Sequence, residues 1–271
     1  MSKVAVIMSV YRSDNIEDMK VAVKSILEQS YKNAHLFLYR DGVVPFELNQ
    51  FLLELVENKN ITLYESEENR GLAVGLNTLI DKVLSIDSYE YIARMDSDDV
   101  SRCERFHRQV EFLKANPLVD VCGTSCKEFG ASFALDEKHL PESHEDLLDF
   151  SIVRCPFIHP TVMFRARVFE SGVRYPTNTS FTEDMALWFE LLSKGYRFSN
   201  IREVLLDYRL NENTIKRRKG FGKALSEVKV RLYHMVKLRR ISIKSTLLIL
   251  SRLAFHILPD SAMKFAYKKA R

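Results

Sequence analysis

Three aspartates crowd into one short stretch of the chain, at Asp96, Asp98 and Asp99. They follow an apolar run at residues 89–95, which predicts a buried strand. Carboxylates this close repel one another, and a carboxylate leaving a buried strand loses solvation unless something compensates. A hard divalent cation held by oxygen ligands would compensate, and it could also bind a diphosphate. The alternative is a polar turn in which Asp99 or Ser101 caps the next helix.

The elements before this turn alternate between strands and helices. Apolar runs predict strands at residues 4–11, 36–39, 61–64 and 89–95, and apolar residues at helical spacing predict helices within 16–27, 46–56 and 72–83. Short connections between them indicate a doubly wound, mostly parallel sheet with flanking helices. In such sheets ligands bind outside the carboxyl ends of the strands, which is where Tyr11, Ser13, Asp41 and the three aspartates lie.

The later part of the chain is less regular. It predicts helices at 106–113 and 145–150, strands at 119–123 and 161–165, and a strongly amphipathic helix after Thr182. That helix opens with Glu183 and Asp184, which are either acids favoured by the helix dipole or reactive carboxylates. The absence of a GxGxxG or Walker A loop argues against a dinucleotide cofactor and against P-loop phosphoryl transfer.

Charge divides the chain into an acidic body and a basic extension. Residues 1–211 carry 24 Lys and Arg against 33 Asp and Glu, whereas residues 212–271 carry 16 against 3. Apolar residues recur at helical spacing in the extension, which predicts either a basic amphipathic region on an anionic membrane or two helices packed on the body with solvated cations. No nucleic-acid recognition motif accompanies the basic residues.

The lack of a recognisable targeting signal and the few cysteines favour a cytoplasmic protein. The N-terminus lacks the form of a signal peptide, and no apolar run approaches the length of a membrane span. Four cysteines without secretion are expected to be reduced thiols.

Five short motifs in order resemble the family 2 glycosyltransferases, which are inverting, nucleotide-sugar-dependent enzymes of the GT-A fold. The resemblance covers about residues 3–210. The motifs are Ser9-Val10-Tyr11, Arg40-Asp41-Gly42, Asn69-Arg70-Gly71-Leu72 with Asn77, Met95-Asp96-Ser97-Asp98-Asp99, and Thr182-Glu183-Asp184 with Trp188. Within the family, Phe157-Ile158-His159-Pro160-Thr161 and the overall length resemble bacterial enzymes of O-antigen, capsule or exopolysaccharide synthesis.

This resemblance implies roles for individual residues. Asp98 and Asp96, with Asp99 as the third candidate ligand, would hold Mn²⁺ or Mg²⁺ against the diphosphate of a UDP-sugar. Asp184, assisted by Glu183, would be the catalytic base. Nucleotide-sugar contacts are expected from Tyr11, Ser13, Asp41, Arg70 and Asp96, and acceptor or diphosphate contacts from His159, Trp188 and Arg209.

The last three of these residues could instead have structural roles. His159 can be structural, Trp188 can belong to the core, and Arg209 can be a surface cation.

The expected reaction is hexose transfer to a sugar hydroxyl on a polyprenyl-diphosphate-linked acceptor at the cytoplasmic membrane surface. Residues 1–211 would form the catalytic domain, with a nucleotide-binding half at 1–100 and an acceptor-binding half at 101–211, and residues 212–271 would form a basic helical tail. A non-catalytic nucleotide-sugar binder and a sugar nucleotidyltransferase are the competing functions. The sequence does not indicate the sugar or the oligomeric state.

Overall fold

The computed structural model describes residues 2–179, 182–212 and 221–255. Part of the basic extension lies outside the described residues, namely 213–220, with the run Lys216-Arg217-Arg218-Lys219, and the chain beyond 255. The elements in chain order are β1 (Val4–Tyr11), α1 (Ile16–Leu27), β2 (Ala34–Asp41), α2 (Phe46–Leu55), β3 (Ile61–Ser66), α3 (Leu72–Ser85), β4 (Tyr91–Arg94), β5 (Val100–Ser101), α4 (Arg105–Ala115), β6 (Val121–Phe129), α5 (His144–Val153), β7 (Met163–Arg165), α6 (Arg167–Glu170), α7 (Glu183–Ser193), β8 (Phe198–Arg209), α8 (Phe221–Lys237) and α9 (Ile243–Phe255).

Eight strands of the described chain form one mixed sheet in the order β3-β2-β1-β4-β7-β6-β8-β5. The first four neighbours, β3, β2, β1 and β4, are all parallel, as the alternating pattern predicted. Both faces of this part of the sheet are covered, since alternate residues of β1 are buried in different core clusters. Val4, Val6 and Met8 pack on one side of the sheet, whereas Ala5 and Ile7 pack on the other.

The second half of the sheet departs from the parallel pattern. β7 is antiparallel to both β4 and β6, and the short β5 is antiparallel to β8. The sequence analysis did not identify β5 or β8. β8 pairs with β6 through two register shifts and carries exposed Arg202 and Glu203 in its middle, so its apolar residues do not alternate regularly.

The two C-terminal helices pack on the body through one face. Val228, Met235 and Ile249 of α8 and α9 are buried against Met185 and Phe189 of α7. This is the packed-helix arrangement that the sequence left open for the basic extension. No helix in the described part of the chain combines the length and apolar character that crossing a bilayer requires.

One buried arginine fastens α8 to the end of α5. Arg231 is 1% exposed, and its Nη1 donates to the carbonyl oxygens of Ser151 at 3.0 Å and Ile152 at 3.2 Å. Its Nε donates to Glu227 Oε1 at 2.9 Å. The last carbonyls of a helix lack intrahelical donors, so this guanidinium supplies both hydrogen bonds and a favourable charge at the helix C-terminus.

Replacing this arginine should therefore loosen the tail. We expect Arg231→Met to lower the free energy of unfolding by about 3 kcal/mol, because it leaves buried carbonyls and Glu227 without their cation. Urea denaturation followed by circular dichroism measures the change. Arg202→Met removes an exposed arginine that pairs with Glu142 at 3.5 Å, and it should cost less than about 1 kcal/mol. Equal losses in the two variants would contradict this role for Arg231.

Candidate active site

The carboxyl ends of the first, second and fourth strands meet at one edge of the sheet. Tyr11 and Asp41, the last residues of β1 and β2, are direct neighbours in the sheet register. Arg94, the last residue of β4, lies beside Ile7 of β1, and the Met95 N–H continues the pairing to the Ile7 carbonyl at 3.1 Å. The acidic turn therefore leaves the sheet beside the ends of β1 and β2.

Three carboxylates of that turn come together. One carboxylate oxygen from each of Asp96, Asp98 and Asp99 lies within 4.8 Å of the other two. Asp96 and Asp98 are partly exposed, whereas Asp99 is completely buried. The capping alternative is wrong, because α4 begins at Arg105 after Glu104 and has no side-chain cap.

The environment of Asp99 shows why such a cluster fits a cation. Its Oδ1 accepts the Arg209 backbone N–H at 2.7 Å, but its Oδ2 is buried without a hydrogen-bond partner among the described residues. Burial and the neighbouring Asp98 carboxylate raise the pKa of Asp99 well above its ordinary value. An oxygen-only donor set with one unsatisfied buried oxygen matches the ligand preferences of Mg²⁺ or Mn²⁺.

Two buried arginines stand behind the turn. Arg94 is 2% exposed and forms an ion pair with Asp96. Arg105 is completely buried, and its Nη2 donates to the Arg94 carbonyl oxygen at 2.8 Å. Burial lowers the pKa of the Arg105 guanidinium to about 9, so it stays charged at neutral pH. Both cations offset the charge of the aspartates from the protein side.

Arg209 of β8 also supports the acidic turn. Its Nε donates to the Asp98 carbonyl oxygen at 2.8 Å, and its Nη2 pairs with Asp18 of α1 at 3.1 Å. The guanidinium also lies over the Phe129 ring, 4.5 Å from the centroid. The structure thus places Arg209 as a support of the acidic turn, where the sequence had suggested contact with a diphosphate or acceptor.

The loop after β1 reaches the same place. Asp14 accepts the Tyr11 backbone N–H at 3.0 Å and hydrogen-bonds the Ser97 side chain. Burial raises the pKa of Asp14 to about 6. Tyr11 and Ser13 are exposed at the rim of this loop. Both predicted nucleotide-contact residues therefore lie at the edge where the acidic turn opens, with Asp14 linking loop and turn.

Asp41 organises the next loop. Its two carboxylate oxygens accept the backbone N–H groups of Arg70 at 2.7 Å and Gly71 at 2.9 Å, while the Arg70 side chain is exposed. Gly42 behind it has φ +85°, and a Cβ there would lie 2.8 Å from the Asn69 backbone nitrogen. The Asp-Gly pair is therefore a tight strand exit, and it also fixes the loop that carries Arg70 at the rim.

A second cluster lies beside Arg94, built around His159 and Tyr175. The two side chains share a hydrogen bond of 3.0 Å between His159 Nε2 and the Tyr175 hydroxyl. The Asn77 side chain clamps the Tyr175 backbone through two 2.8 Å hydrogen bonds. Burial and then the Arg94 charge lower the pKa of His159 well below its ordinary value, so the imidazole is neutral.

Asp184 and Glu183 form the far side of this cluster. They are partly buried at the start of α7, and both carboxylates act electrostatically on the buried Tyr175 hydroxyl. Asp184 Oδ1 accepts the Met185 N–H at 2.7 Å. Thr182 occupies the cap position without a side-chain cap hydrogen bond.

Trp188, one turn later, is 1% exposed and stacks on Phe164 at 5.7 Å. It lies in the core and presents no face to a ligand.

Sequence reasoning missed two arginines, one further aspartate and a tyrosine that surround these carboxylates. Arg94, Arg105, Asp14 and Tyr175 were not selected. A signal existed for Arg94, because a charged residue inside an apolar strand must find a partner when it is buried. Tyr175 had no comparable local pattern, since its partners lie 16 and 98 positions away in the chain.

Comparison with known proteins agrees with this architecture. The family model described as "Glycosyl transferase family 2" matches residues 5–173. A UDP-Gal:alpha-D-GlcNAc-diphosphoundecaprenol beta-1,3-galactosyltransferase of Escherichia coli is 31% identical over 98% of this chain and 96% of its own length. The amylovoran biosynthesis glycosyltransferase AmsE of Erwinia amylovora is 27% identical over 98% of both chains.

Solved glycosyltransferases share the fold. A mannosyltransferase of Pyrobaculum calidifontis, solved with GDP-Man and Mn²⁺, superimposes with a TM-score of 0.63 at 18% identity over 99% of this chain and 81% of its own. Staphylococcus aureus TarS 1-349 gives a TM-score of 0.63 at 13% identity over 98% of this chain and 88% of its own. These likenesses confirm the predicted GT-A fold. Together with the match over residues 5–173, they show that the chain belongs to glycosyl transferase family 2.

Proposed function

We propose that this glycosyltransferase moves a hexose from a UDP-sugar to a sugar hydroxyl, with inversion at the anomeric carbon. The observation that carries the proposal is the triad of Asp96, Asp98 and Asp99, gathered within 4.8 Å at the carboxyl edge of the sheet. Tyr11, Asp41 and the exposed Arg70 lie around the ends of the neighbouring strands. Residues 1–100 would therefore bind the nucleotide, and residues 101–211 would contribute most of the acceptor side.

The acidic turn would anchor the leaving group. A divalent cation bound by Asp96 and Asp98 would neutralise charge on the departing diphosphate. Arg94 pairs with the Asp96 carboxylate, Arg105 donates to the Arg94 carbonyl and Arg209 donates to the Asp98 carbonyl, and these contacts hold the turn in place. Fixed carboxylates need not reorganise when charge develops on the diphosphate, and this preorganisation lowers the barrier.

Asp184 would accept the proton of the attacking hydroxyl. The hydroxyl oxygen forms the new bond to the anomeric carbon as the bond to UDP breaks, and the electron pair leaves on the β-phosphate oxygen. A single displacement of this kind inverts the anomeric centre. The buried pair of His159 and Tyr175, which is within electrostatic reach of both Arg94 and Asp184, would support the site from the protein interior.

The acceptor would be a saccharide on a polyprenyl diphosphate. Support comes from the Escherichia coli relative, whose name specifies a GlcNAc-diphosphoundecaprenol acceptor and a UDP-Gal donor. AmsE is named for amylovoran biosynthesis, and WbnJ of Escherichia coli is named for O-antigen biosynthesis. The enzyme would then work in bacterial surface polysaccharide synthesis at the cytoplasmic face of the membrane. Galactose, glucose and N-acetylhexosamines are the donor sugars to test.

A nucleotide-release assay tests this function. Purified protein is mixed with Mn²⁺, each UDP-sugar in turn, and a synthetic GlcNAc-diphosphate-lipid, and products are weighed by mass spectrometry. We expect UDP release only when donor, acceptor and Mn²⁺ are all present, together with an acceptor one sugar heavier. Diphosphate release from a nucleoside triphosphate and a sugar phosphate would instead indicate a nucleotidyltransferase. UDP-sugar binding without transfer to any acceptor tested would indicate a binding protein.

The base is tested by removing one charge. Asp184→Asn should lower kcat by about 10²–10⁴-fold, because the amide cannot accept the proton, while UDP affinity measured by calorimetry stays unchanged. Glu190→Gln is the matched control, because Glu190 lies on the same helix and pairs with Lys194 at 3.0 Å. Near-normal turnover of Asp184→Asn would show that another group is the base.

Metal binding is tested at Asp98. We expect Asp98→Asn to weaken Mn²⁺-dependent UDP binding at least about tenfold, because a charged oxygen ligand is lost. The same variant should raise Tm without metal, since burial raises the pKa of Asp98 and its charge in turn raises that of Asp99. Asp136→Asn, at an exposed site, controls for loss of charge alone. Unchanged Mn²⁺-dependent binding in Asp98→Asn would contradict the assignment.

A further inference from the structure

The outer face of α9 is apolar although it faces solvent. Ile249 is buried against the body, whereas Ile243, Leu247 and Leu250 lie on the opposite side of the helix at spacings of four and three residues. Ile243 is 83% exposed and Leu247 63% exposed. A helix that packs on a protein body normally turns polar residues outward, whereas none of the described residues covers this apolar stripe.

The neighbouring helix continues the same character. Leu225, Tyr233 and Val236 of α8 are exposed, and Ile241 in the connection to α9 is exposed as well. The connection turns sharply at Arg239, which has φ +55° and donates its N–H to the Val236 carbonyl oxygen at 3.0 Å. The exposed apolar residues thus belong to two helices joined by a tight, hydrogen-bonded turn.

Basic side chains surround these apolar residues. Residues 221–255 contain eight Lys and Arg but a single acid, Glu227, which pairs with Arg231. Lys229, Lys237, Arg239 and Lys244 are exposed, and Lys237 lies over the Tyr233 ring at 6.0 Å from its centroid. The body has the opposite balance, with 33 acids against 24 basic residues in residues 1–211. An anionic surface would therefore attract the tail and repel the body.

We propose that the outer face of α8 and α9 is a docking surface for an anionic lipid bilayer. The aliphatic side chains would enter the boundary between headgroups and acyl chains, with Tyr233 at headgroup depth and the lysines against lipid phosphates. Docking in this way rests on the proposed function for its purpose, since that function places the acceptor in the membrane.

A second copy of the chain fits this surface less well. A symmetric dimer through this face would bring the same basic side chains of both copies together. Their repulsion would oppose the gain from burying the aliphatic residues, whereas lipid phosphates would neutralise it. Charge complementarity therefore favours the bilayer.

Vesicle sedimentation of the full chain tests the surface without turnover. We expect binding to vesicles of phosphatidylglycerol and phosphatidylethanolamine, and much weaker binding to phosphatidylcholine alone. The double variant Ile243→Glu/Leu247→Glu should lose more than about tenfold in affinity, because two charges replace inserted aliphatic groups. Lys237→Gln/Lys244→Gln should lose about 25-fold at low salt, at about fivefold for each cation.

Matched controls separate docking from general effects of charge. Leu118→Glu makes the same type of change at a 72% exposed leucine of the body, and Lys59→Gln/Lys114→Gln removes two exposed lysines there. Both should bind vesicles as the wild type does. Transfer to a water-soluble acceptor should be unchanged in Ile243→Glu/Leu247→Glu, so failure of docking is distinguishable from failure of the proposed reaction. The proposal would be overturned if the wild-type protein did not bind anionic vesicles, or if the body variants lost as much vesicle affinity as the tail variants. Self-association through this face without vesicle binding would also overturn it.

Discussion

The electrostatic balance at the acidic turn is the constraint on which the rest of the site depends. Asp99 is fully buried, beside Asp98, at a distance where like charges repel. The fold tolerates this because Arg94 and Arg105 are buried behind the turn and Arg209 binds it from β8. These cations offset only part of the charge, since Asp99 Oδ2 has no partner among the described residues and its pKa is raised. The partly exposed carboxylates of Asp96 and Asp98 carry the remaining charge, which a bound divalent cation would neutralise.

The mixed sheet brings segments that are distant in sequence to the acidic turn. Parallel β1, β2 and β4 place their carboxyl ends together, while β8 returns Arg209 to the turn from more than a hundred residues later. On the other side, Asn77 of α3 holds Tyr175, which hydrogen-bonds His159 near Arg94. Tyr175 therefore lies within electrostatic reach of both Arg94, beside the acidic turn, and Asp184, at the start of α7. The hydrogen-bonded part of this cluster is rigid only while each member keeps its partner.

Local pattern sufficed for the first half of the fold and for the carboxylates. The continuous apolar run of β1 and the periodic apolar faces of α1 and α3 predicted their elements closely, because burial alone determines them. Asp41, Asp96 and Asp98 were selected as candidates because they follow such runs. β8 was missed because its two register shifts disturb alternation, and Arg105 and Tyr175 were missed because contacts distant in sequence define their roles. The packing of the basic tail could not be predicted for the same reason, because it depends on the contact of Arg231 with the end of α5.

The most direct test of this account is the position of a bound metal. Anomalous diffraction from a crystal of the protein grown with Mn²⁺ and UDP locates the ion without reference to catalysis. We expect one manganese peak between the carboxylates of Asp96 and Asp98 and the diphosphate of UDP, with the uracil beside Tyr11 and Asp41. A manganese peak away from the acidic turn, or UDP bound elsewhere than at the carboxyl edge of the sheet, would contradict it.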